Sequence, residues 1–166
     1  MSEIVEWIVR SALIGVGATV GVDLWAILQT HLFGAPAPDW AQIGRWFGGF
    51  PQGRFVQVDI AKAPAVQGEL AIGWAAHYAI GIGYAALLLT ICGLAWARHP
   101  TLLPAFIFGA VTLVAPFFLM QPGLGMGIAA SKTSNPGVAR LRSILAHAIF
   151  GFGLYLSAWI SAPLIP

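Results

Sequence analysis

The chain has 166 residues, 58% hydrophobic and 8% charged, with a mean hydropathy of +0.82. A soluble domain carries about 25% charged residues, so this composition excludes a water-covered globule and leaves lipid to cover much of the surface. Eight Lys and Arg against six Asp and Glu give a formal net charge of +2, and no basic block points to nucleic acid.

Four segments, near 4–28, 70–96, 102–120 and 141–160, are each apolar over the roughly 20 residues that a transmembrane helix needs. They predict one all-α membrane domain, with long connections over 29–69 and 121–140. At the start, Glu3 and Glu6 precede Arg10, which is the wrong charge for a signal peptide. Pro38 also follows the cleavage-like Ala35-Pro36-Ala37 at once, so the first span is expected to be retained. The first connection alternates aromatics with glycine and arginine in Gly44-Arg45-Trp46-Phe47-Gly48-Gly49-Phe50-Pro51-Gln52-Gly53-Arg54-Phe55. One reading is an interfacial segment, with Trp and Phe in the headgroup layer and Arg45 and Arg54 on lipid phosphate. The sharper reading is a glycine-hinged lid over a polar layer.

The second span contains Ala76-His77-Tyr78-Ala79-Ile80-Gly81-Ile82-Gly83, and the fourth contains Ala146-His147-Ala148-Ile149-Phe150-Gly151-Phe152-Gly153. Both spell A-H-x-x-x-G-x-G. Histidine is costly in hydrocarbon, and two at matching places point to a duplicated hairpin sharing a polar site. The lone Cys92 reads as a small buried hydrophobe. In the third span Pro104 falls in the first turn, where it costs little. Pro116 near the far end predicts a kink that frees the carbonyl of Thr112. Gly123, Gly125 and Gly127 follow, but with no preceding strand they make no dinucleotide loop. Asn135 as cap and Pro136 at the first position open the last helix. Lys132, Arg140 and Arg142 around its positive end suit an anionic lipid headgroup.

Gly17-Ala18-Thr19 resembles Gly109-Ala110-Val111-Thr112, which extends the duplication to the first and third helices. The expected architecture is two helical hairpins related as a parallel pseudo-two-fold repeat. The side with the long connections holds Arg45, Arg54, Lys62, Lys132, Arg140 and Arg142, and the other holds Arg10 and Arg98. The positive-inside rule then places the connections in the cytoplasm and both termini in the periplasm.

Depth arithmetic groups the ionisable residues inside the spans. His77 is eight residues in from Glu69, His147 seven from Arg140, and Asp23 six before Gln29. At ~1.5 Å per residue all three lie roughly 9–12 Å below one boundary. Gly73, His77 and Gly81 share a face of the second helix, with Tyr84 following, and Ser143, His147 and Gly151 share one of the fourth. The small residues allow close helix approach or leave room for a ligand. Four uses stay open for Asp23, His77 and His147. They are a hydrogen-bonded cluster that fixes register, with Tyr84 as one partner; a divalent metal site suited to Zn²⁺ or Fe²⁺; bis-histidine haem ligation; and a proton or ion relay. Gln121, at the mouth of the third span, is a further supporting polar group.

Asp23-Leu24-Trp25, Gly44-Arg45-Trp46, Gly73-Trp74 with His77-Tyr78, Ala115-Pro116-Phe117-Phe118 with Met120-Gln121-Pro122, Ala129-Ala130-Ser131-Lys132-Thr133 and Asn135-Pro136 together resemble a bacterial integral membrane family, DUF2938. The resemblance spans nearly the whole chain, and Phe-Phe-Leu-Met-Gln-Pro is its most specific part. It implies an inner-membrane protein with no assigned activity, and it supplies no catalytic residues. No Gly-x-Ser-x-Gly, His-Glu-x-x-His, Walker or Cys-pair motif is present, so an enzyme is unsupported. The leading expectation is a membrane protein that binds a metal or small ligand at the Asp/His/His layer. The alternatives are a small transporter or channel acting as a homo-oligomer, and an accessory subunit of a larger membrane complex.

Overall fold

A computed structural model of the chain describes residues 1–165. Five helices carry the fold: α1 (Glu3–Phe33), α2 (Trp40–Gly48), α3 (Glu69–Arg98), α4 (Leu102–Thr112) and α5 (Pro136–Ser161). No strand occurs among the described residues. Four helical stretches are long and apolar enough to cross a membrane: α1, α3, Leu102–Gly123 and Pro136–Leu164. The outward faces are greasy throughout, with Ile91, Leu103 and Leu119 each about two-thirds exposed. Such faces suit lipid rather than water.

The helix ends follow from local chemistry. Ser2 accepts from the N–H of Val5 to open α1, and Gly34 closes it in the left-handed conformation at φ 62°. That end lies five residues beyond the expected 28, because Gln29, Thr30 and His31 continue the helix although they leave the apolar pattern. Asn135 accepts from Val138 at 3.3 Å and Pro136 begins α5, as its sequence predicted. Pro116 opens a five-residue π-helical stretch, Pro116–Met120, in which the N–H of Gln121 reaches back to the Pro116 carbonyl. The expected disturbance is therefore a widened turn. A second break was not expected. Gly93 interrupts α3 at φ 77°, ψ 165°, a conformation essentially confined to glycine.

Contacts divide the chain into two compact units: Met1–Pro36 with Tyr78–Thr112 and Leu145–Pro166, and Ala37–His77 with Leu113–Ile144. The first has a core of Ile14, Ala18, Leu88, Phe108, Phe150 and Leu154. Its helices meet through small residues. A Cβ on Gly15 would strike the Ile82 backbone, one on Gly81 the Thr19 hydroxyl, one on Gly109 the backbone of Gly151, and one on Gly153 the backbone of Ala18. In each proposed hairpin the glycine four residues past the histidine, Gly81 or Gly151, is thus where that hairpin's two helices touch. The other motif glycines differ: Gly153 packs on α1, while Gly83 faces open space.

The second unit is built on α2, which the sequence reading treated as an interfacial loop or lid. Asp39 caps it by accepting from Gln42 at 3.0 Å. Gly44 and Gly73 let its backbone lie directly on the first turns of α3, since a Cβ on either would strike the other helix's carbonyls. Trp46, Ile60 and Leu124 form a small core with Phe47, Phe50, Met120 and Met126 packed against it. The Trp46 indole N–H donates to the Phe55 carbonyl at 2.7 Å. Trp46, Phe47 and Phe50 thus face protein, whereas Phe55, in the same segment, is 56% exposed.

Two glycines ten residues apart on α3 test this description. Gly93→Ala forces a side chain into its positive-φ site and should cost about 1–3 kcal/mol. Gly83→Ala, in open helix, should be neutral or stabilise by up to ~1 kcal/mol. Thermal unfolding in detergent of both variants gives the comparison, and equal melting temperatures would contradict the break at Gly93.

Candidate functional site

Within the first unit the polar groups inside the spans are handled in three ways. At one end Arg10, fully buried, donates from Nε to Glu6 at 2.8 Å, from Nη1 to the Ala97 carbonyl at 3.4 Å and from Nη2 to the Ile165 carbonyl at 2.7 Å. Arg98 grips the same Glu6 with Nε and Nη2 at 3.0 and 2.6 Å. One carboxylate therefore joins α1 to the end of α3, and Arg10 ties in the segment after α5. The sequence gives Arg10 and Arg98 no expected structural partner. The i, i+4 spacing of Glu6 and Arg10 was the available signal.

Deeper along α1, Asp23 accepts a hydrogen bond from the Tyr78 hydroxyl at 2.8 Å. The sequence expectation pairs Asp23 with a histidine and offers Tyr84 to the other histidine, so Tyr78 is a partner it does not name. The ring of Tyr84 actually packs edge-on against Phe108 and Phe150, with centroids 6.3 and 6.0 Å away. His147, on α5, differs from both. Its Nε2 is buried and meets no hydrogen-bond partner. Ser11 Oγ and Trp25 Nε1 share that condition in this unit. A serine hydroxyl can rotate and an indole can only donate, whereas an imidazole nitrogen donates, accepts or binds metal according to its tautomer.

In the second unit His77 lies against Trp40, with ring centroids 4.0 Å apart at 33°, and Trp74 approaches the same imidazole edge-on at 5.9 Å. Of the two expected uses of Gly73 beside His77, close helix approach is the one found: it admits the backbone of α2. Likewise Gly81 and Gly151 serve helix approach. Gln121 is buried and donates to Ser143 Oγ at 3.2 Å, while its Oε1 meets no partner.

Of the arginines assigned to lipid headgroups, Arg45 is already engaged. It holds Glu69 through Nε and Nη2 at 2.9 and 2.8 Å, and Nη1 donates to the carbonyls of Ile60, Ala61 and Ala63. The Glu69 carboxylate pushes the Arg45 pKa up from its ordinary value. This fork clamps the connection onto α3, a structural use that corrects the headgroup expectation. Arg54 pairs with the Gln52 side chain, and Arg140 donates to the Ala129 carbonyl. Lys132 remains exposed. Nearby, Lys62 and the N–H of Ala61 hold the Asp59 carboxyl below its ordinary range. That pair is exposed and adds little stability.

Among the described residues, no group of three or more His, Cys, Asp or Glu side chains is placed to hold a metal ion. What the structure defines is a multi-pass helical membrane protein in which several intramembrane polar groups are drawn into local pairs, while His147 Nε2, Ser11 Oγ, Trp25 Nε1 and Gln121 Oε1 meet no partner. The model of a family described as protein of unknown function, DUF2938, matches residues 12–161, and the chain belongs to that family. No curated protein and no solved structure matches it.

Proposed function

We propose that this is a multi-pass protein of the bacterial inner membrane that binds a small polar ligand within its spans, through His147 with Asp23 and Tyr78. Helical spans favour the inner membrane, since outer-membrane proteins are typically closed barrels. The observation that carries the reading is the buried His147 Nε2 without a partner. Leaving such a group unsatisfied costs about 1–3 kcal/mol, and a leucine of similar size would avoid that cost. A function that uses the nitrogen explains why imidazole stands there. The other buried atoms without a partner are Ser11 Oγ, Trp25 Nε1 and Gln121 Oε1, and of the four the imidazole nitrogen is the one that can donate, accept or bind a metal according to its tautomer. The metal version of the site is the weaker one, because no group of three or more His, Cys, Asp or Glu side chains that could hold a metal is found among the described residues.

The orientation proposal rests on the same partition of charge as before. The second unit holds Arg45, Arg54, Lys62, Lys132, Arg140 and Arg142, and the first holds Arg10 and Arg98, both bound to Glu6. The basic unit then lies in or against the cytoplasm. A C-terminal alkaline phosphatase fusion should be active and a C-terminal green fluorescent protein fusion dark, and the reverse pattern would overturn this orientation.

Native mass spectrometry of protein extracted in mild detergent tests the ligand. The wild type should carry an added small mass that the His147→Leu variant lacks, and the variant should melt at the same temperature or higher. Bare chains in both samples, with the same gain in stability, would make His147 a tolerated defect and remove the proposal.

A further inference from the structure

At the end of the first unit where α3 turns into α4 lies an open groove of about 850 Å³. That is within the range of small-ligand sites, about 300–1,000 Å³. One wall is polar and comes from the turn: Arg98, His99 and Thr101. The facing wall is apolar and comes from the end of α5 and the turn beyond it: Trp159, Ile160 and Pro163. Both walls stand at the ends of spans, since α3 closes at Arg98, the third apolar helix opens at Leu102 and the fourth ends at Leu164. A surface that grades from cationic to apolar across a span end matches the gradient of a phospholipid, phosphate outermost with glycerol esters and first methylenes below.

The placement of donors agrees. Glu6 is shared by Arg10 and Arg98, so neither guanidinium has that carboxylate to itself, and Glu3 nearby balances the total charge. Nη1 of Arg98 takes part in none of the bonds to Glu6, and the side chain is 46% exposed. Glu6 therefore holds the guanidinium in place while leaving donors for a second anion, which reduces the ordering cost of binding. The first turn of α4, just past Thr101, presents the positive end of that helix to the same place. Trp159 is 60% exposed, and an apolar ring with one N–H suits the ester level of a bilayer.

We propose that this groove seats a phospholipid, its phosphodiester on Arg98, His99 and Thr101 and its glycerol and upper acyl chain against Trp159 and Ile160. The recognition is of a phosphate joined to an apolar tail, so neither a free anion nor a neutral lipid meets both walls. It is independent of the ligand proposed for His147.

Wild-type full-length protein in mild detergent provides the test. Carbethoxylation of His99 by diethylpyrocarbonate is followed by peptide mass mapping, alone and with phosphatidylglycerol, inorganic phosphate or diacylglycerol. At a lipid concentration twice its Kd, phosphatidylglycerol should slow modification of His99 about threefold by mass action and leave exposed His31 unchanged. Trp159→Ala should abolish that protection while keeping the lipid-free rate. Equal protection by inorganic phosphate would make the site one for a free anion and overturn the lipid assignment. Equal protection by diacylglycerol would remove the polar wall from the account. Absence of protection by phosphatidylglycerol, equal protection at His31, or full protection in Trp159→Ala would each overturn the seat.

Discussion

A polar group inside a membrane span must find its partner in the protein, because lipid offers none. Arg10 shows how far the chain goes to meet that demand. Its guanidinium is fully buried, and every hydrogen bond it makes ends on a carboxylate already shared with Arg98 or on a backbone carbonyl near a helix end. The carbonyls of Ala97 and Ile165 lie where a helix is stopping, so the same bonds satisfy acceptors that helix geometry leaves open. Asp23 obeys the same rule through the hydroxyl of Tyr78.

With polar groups confined in this way, helix association falls to close packing, since lipid tails provide no hydrophobic drive between spans. The glycines supply it. Gly15, Gly81, Gly109 and Gly153 each stand where a methyl group would strike a neighbouring helix. The second unit uses the same device at Gly44 and Gly73, and then adds a clamp typical of water-exposed structure, the Arg45–Glu69 fork with three carbonyls behind it. It also encloses an aromatic core around Trp46, so the long connection is a folded element with its own interior.

Much of this architecture was legible in the sequence because it rests on local rules. Twenty-residue apolar runs, the Asn135-Pro136 start and the Pro116 disturbance each have one-dimensional signatures, and each is found where expected. Three features were not legible for identifiable reasons. Helix α2 is short and rich in glycine and aromatics, and only the Asp39 cap announces it. Gly93 looks like any other glycine in a span, because nothing in the sequence distinguishes a glycine chosen for φ from one chosen for size. The bond from Tyr78 to Asp23 depends on the rotation of α3 about its axis, and depth arithmetic carries no information on rotation. The same limit explains Gly73, Gly81 and Gly151. Their face was foreseen, and its use for backbone contact was settled only by the neighbouring helices.

The central claim is that His147 Nε2 breaks the rule of internal satisfaction because something other than the protein completes it. Nitrogen-15 spectra of imidazole-labelled protein report directly on whether that nitrogen is bonded. The account requires a shifted Nε2 resonance in protein extracted with its native small molecules, and a return to the unbonded position after exhaustive washing. A resonance that stays in one position through the wash would contradict it.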